Sequence, residues 1–366
     1  MLPYVFLLFC PFLCSFLAID NHTVLAGKSN RIRISNFSLP CFFSLLFFIL
    51  ALRHETIGRD LVNYKLYFQT YSSVPLSSLL SFDEPIYKIL NWLVGKMIGS
   101  YQVFLAVVAF ICIFPLAMIY CENRRYSYLT IVLFLNMPIF IMMFSGLRQA
   151  IAISLGMIAY SFVRKRKLLF FLLSVLLSVG FHKSAFILFP MYWVYHMRFK
   201  RQHLWIVLPA MAFLFVFNGP IFSFLLTVIP EYTDKYDAVA GETGAFTMLI
   251  LFALFVLFSY LVANEEKMDE EMYGLRNFLL VCLAIQCFAP IHNLAMRLNY
   301  YYIAFIPIAV AKVFSYIRIQ YRQIARLAYY VMCGFFTVYF LYTSYVSCVT
   351  GISLLDTFPY VPFWRG

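Results

Sequence analysis

The chain has 366 residues, of which 63% are hydrophobic and only 12% are charged, and its mean hydropathy is +0.84. A typical soluble domain is about 25% charged, so this composition excludes an ordinary soluble protein. The net charge of +12 does not indicate nucleic-acid binding, because the basic residues fall in short clusters between apolar runs. The nine cysteines lie mostly inside those runs, and none has metal-ligand spacing beside a histidine pair. We expect an integral membrane protein without a metal ion or a cofactor.

Apolar runs that can form helices recur along the whole chain. Runs of about 18 or more apolar residues indicate membrane spans, and several runs here are shorter, so their ends must extend into the flanking segments. The predicted fold is an all-α polytopic membrane protein with about twelve spans, within a range of about ten to thirteen. We place the spans near residues 1–19, 39–52, 101–120, 127–143, 147–163, 167–180, 183–196, 203–218, 246–263, 275–289, 298–316 and 325–347.

Two parts of this assignment have alternatives. The segment 1–19 resembles a signal peptide, but it lacks a basic start and a clear small-residue cleavage site, so we predict a helix there. The segments 167–180 and 183–196 form either two spans or one broken, re-entrant element.

Basic residues orient the spans. Cytoplasmic loops are enriched in Lys and Arg, and alternate loops here carry clusters such as Arg164–Lys167, whereas the intervening short loops carry single basic residues. Both termini are therefore expected outside the cell, with long outer loops at 53–100 and 219–245. The acidic segment 264–271 falls on the predicted cytoplasmic side, but acidic residues have little weight in this rule.

The first outer loop contains an amphipathic stretch, Pro85–Met97. In a helix, Ile86, Ile89, Leu90 and Leu93 share one face, and such helices often lie flat at the membrane interface. Because the chain shows no repeats or soluble linkers, we predict that residues 1–366 form a single membrane domain.

Charged and polar side chains at the ends of spans are costly, which makes them functional candidates. A guanidinium stays charged and binds phosphate bidentately, a histidine can act as a general base on a hydroxyl, and a carboxylate can orient that histidine or bind sugar hydroxyls. The set favours a lipid substrate with a diphosphate and a sugar, and no Asp-x-Asp or histidine cluster indicates a metal. The candidates, all at predicted outer ends of spans, are Asp60, Tyr64, Glu84, Arg148, Gln149, His182, Lys183, His292, Arg297 and Tyr300.

Most of these candidates also have a structural interpretation. Arg148 is the hardest to explain in this way, because it follows a glycine and enters an apolar run. The alternatives are an interfacial anchor for Arg297, a hydrogen-bonded interface residue for His182, an aromatic belt for Tyr300–Tyr302, and helix capping for Asp60 and Glu84, where Asp83-Glu84-Pro85 has the pattern of a helix start.

Short motifs follow one another in a distinctive order. They are Gly58-x-Asp60-x-x-x-Tyr64, Glu84-Pro85-x-Tyr87, Phe144-Ser145-x-x-Arg148-Gln149-x-x-Ala152, Phe181-His182-x-Ser184-Ala185, and Arg297 before tyrosines. In this order the sequence resembles the EpsG family, which is related to the Wzy-type polymerases of O-antigen, capsule and exopolysaccharide. The likeness covers roughly residues 50–345, and its Arg-Gln and Phe-His parts are the most specific.

This resemblance implies a GT-C-like, all-helical architecture and a metal-independent glycosyltransferase. Such enzymes join oligosaccharide repeat units carried on undecaprenyl diphosphate at the outer face of the bacterial cytoplasmic membrane. By the likeness, Arg148 and Arg297 hold the diphosphate, His182 acts as a base or orients the substrate, and Asp60 and Glu84 contact the sugar or the acceptor. The implied partners are the undecaprenyl-diphosphate-linked oligosaccharide, membrane lipid, a chain-length regulator and other glycan-assembly proteins.

Four other functions fit part of the pattern. A flippase of lipid-linked sugars predicts inverted repeats and polar residues at mid-membrane, which the sequence does not show. An O-antigen ligase shares the substrate and the arginine chemistry, and only the family likeness separates it. A sugar O-acyltransferase explains a lone histidine but leaves Arg148 and Arg297 without a diphosphate. A non-catalytic subunit of a glycan-assembly complex predicts that changing Arg148 alters binding or stability but no chemistry.

Overall fold

The computed structural model describes residues 1–20, 37–79, 83–228 and 243–365, and this part of the chain is mainly helical. Its extended pairings are two single-residue bridges, Arg53 with Pro362 and Ala263 with Ile317. The described residues form seventeen α-helices: α1 (Leu2–Asp20), α2 (Ser38–Ala51), α3 (Leu61–Ser73), α4 (Pro85–Met97), α5 (Tyr101–Tyr120), α6 (Ser127–Asn136), α7 (Pro138–Ser145), α8 (Leu147–Arg164), α9 (Leu168–Phe181), α10 (Met191–His196), α11 (Leu204–Val216), α12 (Asn218–Val228), α13 (Thr243–Val262), α14 (Glu270–Gln286), α15 (Asn293–Ile303), α16 (Ile306–Val313) and α17 (Arg322–Thr350).

Every apolar run predicted to span the membrane contains a helix or a broken pair of helices. The run 127–143 is broken at Met137, where α6 and α7 meet at 57°. Pro138 disfavours helical geometry at the residue before it, and Met137 accordingly has the extended angles φ −88° and ψ 147°. The run 298–316 is likewise divided between α15 and α16, at 50°.

Several of the described helices could cross a membrane. Tyr101–Tyr120, Gly244–Val262 and Ile319–Thr350 are each long and apolar enough to cross alone. Counting each of three bent pairs as one span raises this number to six. The shorter apolar helices Leu2–Leu13, Ser38–Ala51 and Leu168–Phe181 add to the apolar helical surface. The described residues therefore fit a polytopic membrane protein, while the predicted total of about twelve spans stays a prediction.

The two predicted outer loops contain helices. The segment 53–100 includes α3 and α4, and α4 has the predicted bounds Pro85–Met97. Its buried residues, however, are Tyr87, Asn91 and Val94, whereas Leu93 on the predicted apolar face is exposed. Helix α4 packs against α3, α9 and α5, so its tertiary contacts are not confined to the apolar face predicted from the sequence.

The predicted second outer loop, 219–245, is partly helical. Helix α12 occupies Asn218–Val228 and meets α11 at 75°. Residues 229–242 of this loop lie outside the described residues. The outer location of both loops stays a prediction.

The described chain divides into two compact units. The first unit comprises Met1–Phe186 and Ala328–Gly366, and within it α5 packs against α2 and α8, and α9 packs along α8. The second unit comprises Ile187–Leu327, and within it α14 packs against α10, α13, α15 and α16. This division into units does not test whether residues 1–366 form a single membrane domain, which stays a prediction.

In the first unit, the C-terminal segment 351–365 pairs with residues 52–59. The backbone N–H groups of Gly58 and Arg59 donate to the carbonyl oxygens of Asp356 and Leu355, at 3.0 and 2.9 Å. Two similar bonds join the segments 52–54 and 361–363. The C-terminal segment therefore anchors the backbone immediately before Asp60.

In the second unit, buried charges pair with the acidic segment 264–271. Arg276 is fully buried, lies 2.7 Å from Glu265 and stacks 3.9 Å from the ring centre of Tyr260. Lys312 pairs with Asp269 at 3.1 Å and also with Glu271. These acidic side chains are thus internal counter-charges, which accounts for their presence in a loop predicted to be basic.

Gly58 provides a stability test of the first unit. Its φ is +116°, and a Cβ there would lie 2.0 Å from the carbonyl oxygen of Phe144. We expect Gly58→Ala to cost about 1–3 kcal/mol from the backbone conformation alone, and to lower the thermal unfolding temperature of the purified protein in detergent. Gly334→Ala is the control, because a Cβ at Gly334 meets no atom within 4 Å. Equal unfolding temperatures for both variants and the wild type would contradict the requirement for glycine at Gly58.

Candidate functional site

The candidate residues of the first unit gather around the carboxylate of Glu84, which is only 6% exposed. Glu84 directly precedes α4 and has φ 52° and ψ 53°, in the left-handed region that residues other than glycine rarely adopt. Its side chain does not cap α4. Instead, Arg148 Nη1 donates to Oε2, and His182 Nδ1 lies 2.5 Å from Oε1. The helix start predicted at Pro85 is confirmed, and the alternative capping role of Glu84 is wrong.

This backbone conformation has a cost that the surrounding contacts must offset. A left-handed non-glycine residue costs about 1–3 kcal/mol and persists where the neighbouring structure determines it, frequently at functional sites. In Glu84, the unusual conformation accompanies a carboxylate bonded to an arginine and a histidine rather than to its own helix.

Arg148 reaches Glu84 from the second position of α8. Helix α7 ends before Gly146, where a Cβ would lie 2.1 Å from the sulfur of Met142, so the side chain of Met142 packs closely against the junction between α7 and α8. The guanidinium lies 5.8 and 5.9 Å from the ring centres of Tyr64 and Tyr87. Its side chain is about one-third exposed, although its Nε is buried. The exposed part of the guanidinium can therefore donate to an anion, next to the amide groups at a helix N-terminus.

His182 follows the last residue of α9 in an extended conformation, which directs its ring away from the helix. The ends of α9 and α4 approach closely because Gly180 lacks a side chain, and a Cβ there would lie 2.4 Å from Ile86 Cδ1. With the Glu84 carboxylate on Nδ1, the favoured tautomer carries its proton on Nδ1 and leaves Nε2 as the basic atom. This is the arrangement of a carboxylate-oriented general base.

Lys183 adds two contacts to the same cluster. Its backbone N–H donates to Glu84 Oε1 at 3.4 Å, and its Nζ lies 3.2 Å from Asp83 Oδ1. The acidic pair before α4 is therefore engaged by three basic residues, Arg148, His182 and Lys183.

The electrostatic environment keeps Glu84 ionised and Tyr64 neutral. Burial tends to raise the pKa of Glu84, but the hydrogen bonds and charges of His182 and Arg148 outweigh burial and hold this pKa below 4.5. Burial raises the pKa of Tyr64 above 10.0, although nearby Arg148 opposes this change. At neutral pH the site thus contains an ionised carboxylate, a guanidinium and a neutral phenol.

Asp60 connects the Gly58 turn to the end of α7, which directly precedes the helix that carries Arg148. Asp60 Oδ2 accepts a hydrogen bond from Ser145 Oγ at 3.0 Å. The backbone N–H of Asp60 in turn donates to Ser145 Oγ at 3.2 Å. As with Glu84, the side chain precedes a helix, α3, without capping it. Gln149 is buried in α8, immediately after Arg148.

Sequence reasoning did not select Ser145 or Tyr87 as site residues. Ser145 fixes the carboxylate of Asp60, and the ring of Tyr87 lies beneath Arg148. Both residues stand in the quoted motifs, and that was the signal that could have identified them, because Ser145 and Arg148 lie in different helices and Glu84 lies outside α4.

The remaining candidates belong to the second unit. His292 is buried and caps α15, because its Nδ1 accepts the backbone N–H of Leu294 at 3.1 Å, and its ring centre lies 4.8 Å from that of Phe222. Arg297 is exposed on α15, and Tyr300 is half-buried one turn later. The structure thus gives His292 a structural role, while the pairing of Arg297 with Arg148 on one substrate stays a prediction.

The first-unit cluster suits acid–base chemistry beside an anionic group. It combines guanidinium donors, a carboxylate-oriented imidazole and neutral phenols. In the ranges that the structure describes, no group of three or more His, Cys, Asp or Glu side chains is arranged to hold a metal ion.

The pKa of Glu84 gives a testable pH dependence. Because this pKa is lower in the folded protein, the ion pairs stabilise the fold fully above pH 4.5, and their contribution is lost as the pH falls through the folded pKa. We expect Glu84→Gln to lose about 1.5–3 kcal/mol at pH 7, typical of hydrogen bonds to charged groups, and to lose less further stability on acidification than the wild type. Thermal unfolding in detergent from pH 7 to pH 3 measures both effects.

The control for this experiment is Glu55→Gln. Glu55 forms a 2.6 Å ion pair with Lys65 that is partly open to solvent, so its loss is expected to cost less than about 1 kcal/mol. Parallel pH profiles for the wild type and Glu84→Gln would show that Glu84 does not contribute as described.

Comparison with known proteins identifies related sequences. The model of the EpsG family matches residues 36–361. The chain is 25% identical over 261 residues to the EPS I polysaccharide export inner membrane protein EpsF of Ralstonia nicotianae, an alignment that covers 64% of this chain and 61% of that protein. It is 28% identical over 141 residues to the protein of the same name from Ralstonia solanacearum, with coverage of 35% and 34%.

These relatives are matched only in part: the chain spans 61% of the length of the first and 34% of the second. No solved structure matches the chain significantly. The family match, in contrast, extends from α2 to the C-terminal segment and includes every candidate residue of both units. The resemblance seen in the motifs is therefore confirmed, and the chain belongs to the EpsG family.

Proposed function

We propose that this protein is a polysaccharide polymerase that joins oligosaccharide repeat units carried on a lipid diphosphate, in exopolysaccharide synthesis. EpsG membership and the likeness to proteins named for EPS I polysaccharide export support an exopolysaccharide-related role. The same names, with the apolar helices, support a multi-pass location in the bacterial inner membrane. The observation that carries the proposal is the contact of one carboxylate, Glu84, with both Arg148 and His182.

Arg148 binds the diphosphate in this proposal. One of its N–H groups bonds to Glu84, and the exposed part of the guanidinium donates to the phosphate oxygens. The N-terminal amides of α8 favour the same negative charge. Arg297 supplies a second guanidinium, as the family resemblance implies, and Lys183 adds positive charge beside the cluster.

His182 activates the acceptor hydroxyl. Nε2 accepts the hydroxyl proton as the oxygen attacks the anomeric carbon of the donor sugar, and the bond between that carbon and the diphosphate oxygen breaks. The electron pair leaves with the lipid diphosphate, whose charge Arg148 stabilises. Undecaprenyl diphosphate fits as this carrier, and the step requires neither a metal ion nor a cofactor.

Glu84 coordinates these two events. In the resting site it shares its negative charge between Arg148 and His182. When His182 accepts the proton, the imidazolium interacts more strongly with the Glu84 carboxylate. The carboxylate then compensates less of the positive charge of Arg148, which attracts the diphosphate more strongly. The positive potential therefore increases as charge develops on the leaving group, which stabilises the transition state more than the ground state.

The other candidates have supporting roles in this scheme. Asp60, held by Ser145, and the neutral phenol of Tyr64 are suited to sugar hydroxyls. Gln149, His292 and Tyr300 remain proposed substrate contacts from the family resemblance. The scheme also requires the cluster to face the outer side of the membrane, as the basic loops predict.

A second candidate is export of lipid-linked sugars, because the word export is part of the relatives' names. An exporter needs the diphosphate contact of Arg148 but not the proton transfer of His182. The two functions therefore differ in the intermediate that accumulates when the protein fails.

The deciding experiment deletes the gene in the source bacterium and restores wild type, Arg148→Lys or His182→Gln at equal membrane level. We expect both variants to leave single repeat units on the lipid carrier at the outer face, with polymer reduced at least about 100-fold for His182→Gln, as for a lost general base. Surface polysaccharide is resolved by length, and lipid-linked units are assigned to either face by their accessibility to enzymes added outside.

Exposed Arg326 supplies the control, since Arg326→Lys makes the same chemical change away from the cluster and is expected to restore full-length polymer. Normal polymer from Arg148→Lys would contradict bidentate binding of the diphosphate. Units trapped at the cytoplasmic face would indicate an exporter, full-length polymer left on the carrier a ligase, and normal length with altered acetylation an acyltransferase.

A further inference from the structure

A row of tyrosines leads along α3 away from Arg148. Tyr64, Tyr67 and Tyr71 follow at helical spacing on one side of the helix. Tyr64 is buried beneath the guanidinium, and its ring centre lies 6.1 Å from that of Tyr67. The rings of Tyr67 and Tyr71 are parallel, with centres 5.9 Å apart and an angle of 16° between their planes.

The outer members of this row are accessible. Tyr67 is 40% exposed and Tyr71 is half-buried. Asn63 and Thr70, on the same side of α3 as Tyr67, are exposed polar residues that can contact hydroxyl groups. The row therefore combines aromatic faces with hydrogen-bonding side chains.

The row is continuous with the Glu84 cluster. Burial raises the pKa of Tyr71, Arg148 opposes this change, and Tyr67, Asp83 and Glu84 reinforce it. The phenol of Tyr71 thus lies within electrostatic range of both charged partners of the site, and Tyr64 connects Tyr67 to Arg148 by ring contact.

We propose that Tyr67 and Tyr71 form a glycan subsite that holds pyranose rings of the acceptor oligosaccharide next to Arg148 and His182. The face of an aromatic ring is electronegative and attracts the weakly positive C–H groups on the face of a pyranose, while the sugar hydroxyls remain free for polar neighbours. This inference rests on the proposed function, because that function requires an acceptor glycan beside the diphosphate.

The chemistry of the row favours a glycan over lipid. A lipid-facing surface needs only apolar area, whereas this row has two nearly parallel rings and the exposed polar residues Asn63 and Thr70. Helix α17 offers the matched comparison. There Phe335 and Tyr339 stack at the same spacing, with centres 6.0 Å apart at 8°, on a strongly exposed face of a helix that can cross a membrane.

The test uses the full-length protein in lipid nanodiscs and a probe free of lipid and diphosphate. The probe is a set of short fragments released by partial hydrolysis from the source bacterium's own exopolysaccharide. Binding is measured by saturation-transfer NMR and calorimetry for the wild type and for double variants at Tyr67 and Tyr71, changed both to Phe, both to Leu or both to Ala. Phe335→Ala with Tyr339→Ala is the control variant.

We expect the Phe variant to bind within about twofold of the wild type, and the Ala and Leu variants to bind at least about tenfold more weakly. The control variant is expected to bind like the wild type. Fragment binding that survives in the Ala variant, or that is preserved by Leu, would overturn the subsite, since either result removes the need for aromatic faces. Absence of binding to the wild type would overturn it as well.

Arg148→Lys separates this inference from the proposed function. It is expected to stop polymerisation but to bind the fragments normally, because they carry no diphosphate. If Arg148→Lys polymerises while the Ala variant loses fragment binding, the proposed diphosphate contact is wrong and the glycan subsite stands.

Discussion

The contacts of the Glu84 carboxylate with Arg148 and His182 are the interactions on which the first unit's site depends. A buried carboxylate is stable only when its charge is compensated and hydrogen-bonded, and here Arg148 in α8 pairs with it while His182, directly after α9, hydrogen-bonds to it. The local sequence allows the elements that carry these side chains to approach one another. Gly180 lets α9 approach α4. The left-handed conformation of Glu84 accompanies the same contact. Geometry that is unfavourable locally is thereby maintained by an electrostatic contact.

Most of the long apolar helices could be predicted from the sequence because long apolar runs favour membrane spans, but the breaks within the runs 127–143 and 298–316 were not predicted. The candidate residues of the first unit were also accessible to sequence reasoning, since charge beside an apolar run is conspicuous. The contacts among them were not. Glu84 stands where a capping residue is expected. Its carboxylate bonds to Arg148 and His182 instead, because α8 and the end of α9 lie close to it in the folded protein. Similarly, the apolar periodicity of α4 did not predict that its buried residues are Tyr87, Asn91 and Val94.

Buried charge has a different role in the second unit. Arg276 is enclosed by Glu265 and the ring of Tyr260, and it also donates to the carbonyl oxygen of Phe199. Lys312 is matched by two carboxylates. These groups compensate one another inside the fold, where the side chains of Arg276 and Lys312 are 0% and 10% exposed, whereas the side chain of Arg148 is about one-third exposed beside its carboxylate partner. The contrast helps to separate charges that hold helices together from charges suited to binding a ligand.

The pairing of residues 351–365 with residues 52–59 makes the first unit discontinuous in sequence. The ion pair between Arg59 and Asp356 joins residues 297 positions apart, and the whole second unit lies between them. During synthesis from the N-terminus, Gly58 and Asp60 reach the membrane long before their C-terminal partners exist. The turn that supports Asp60 therefore cannot be completed until residues 351–365 have been synthesised. A chain interrupted before them would contain Arg148, Glu84 and His182 but would lack this support, so assembly of the site is coupled to synthesis of a segment about 300 residues later.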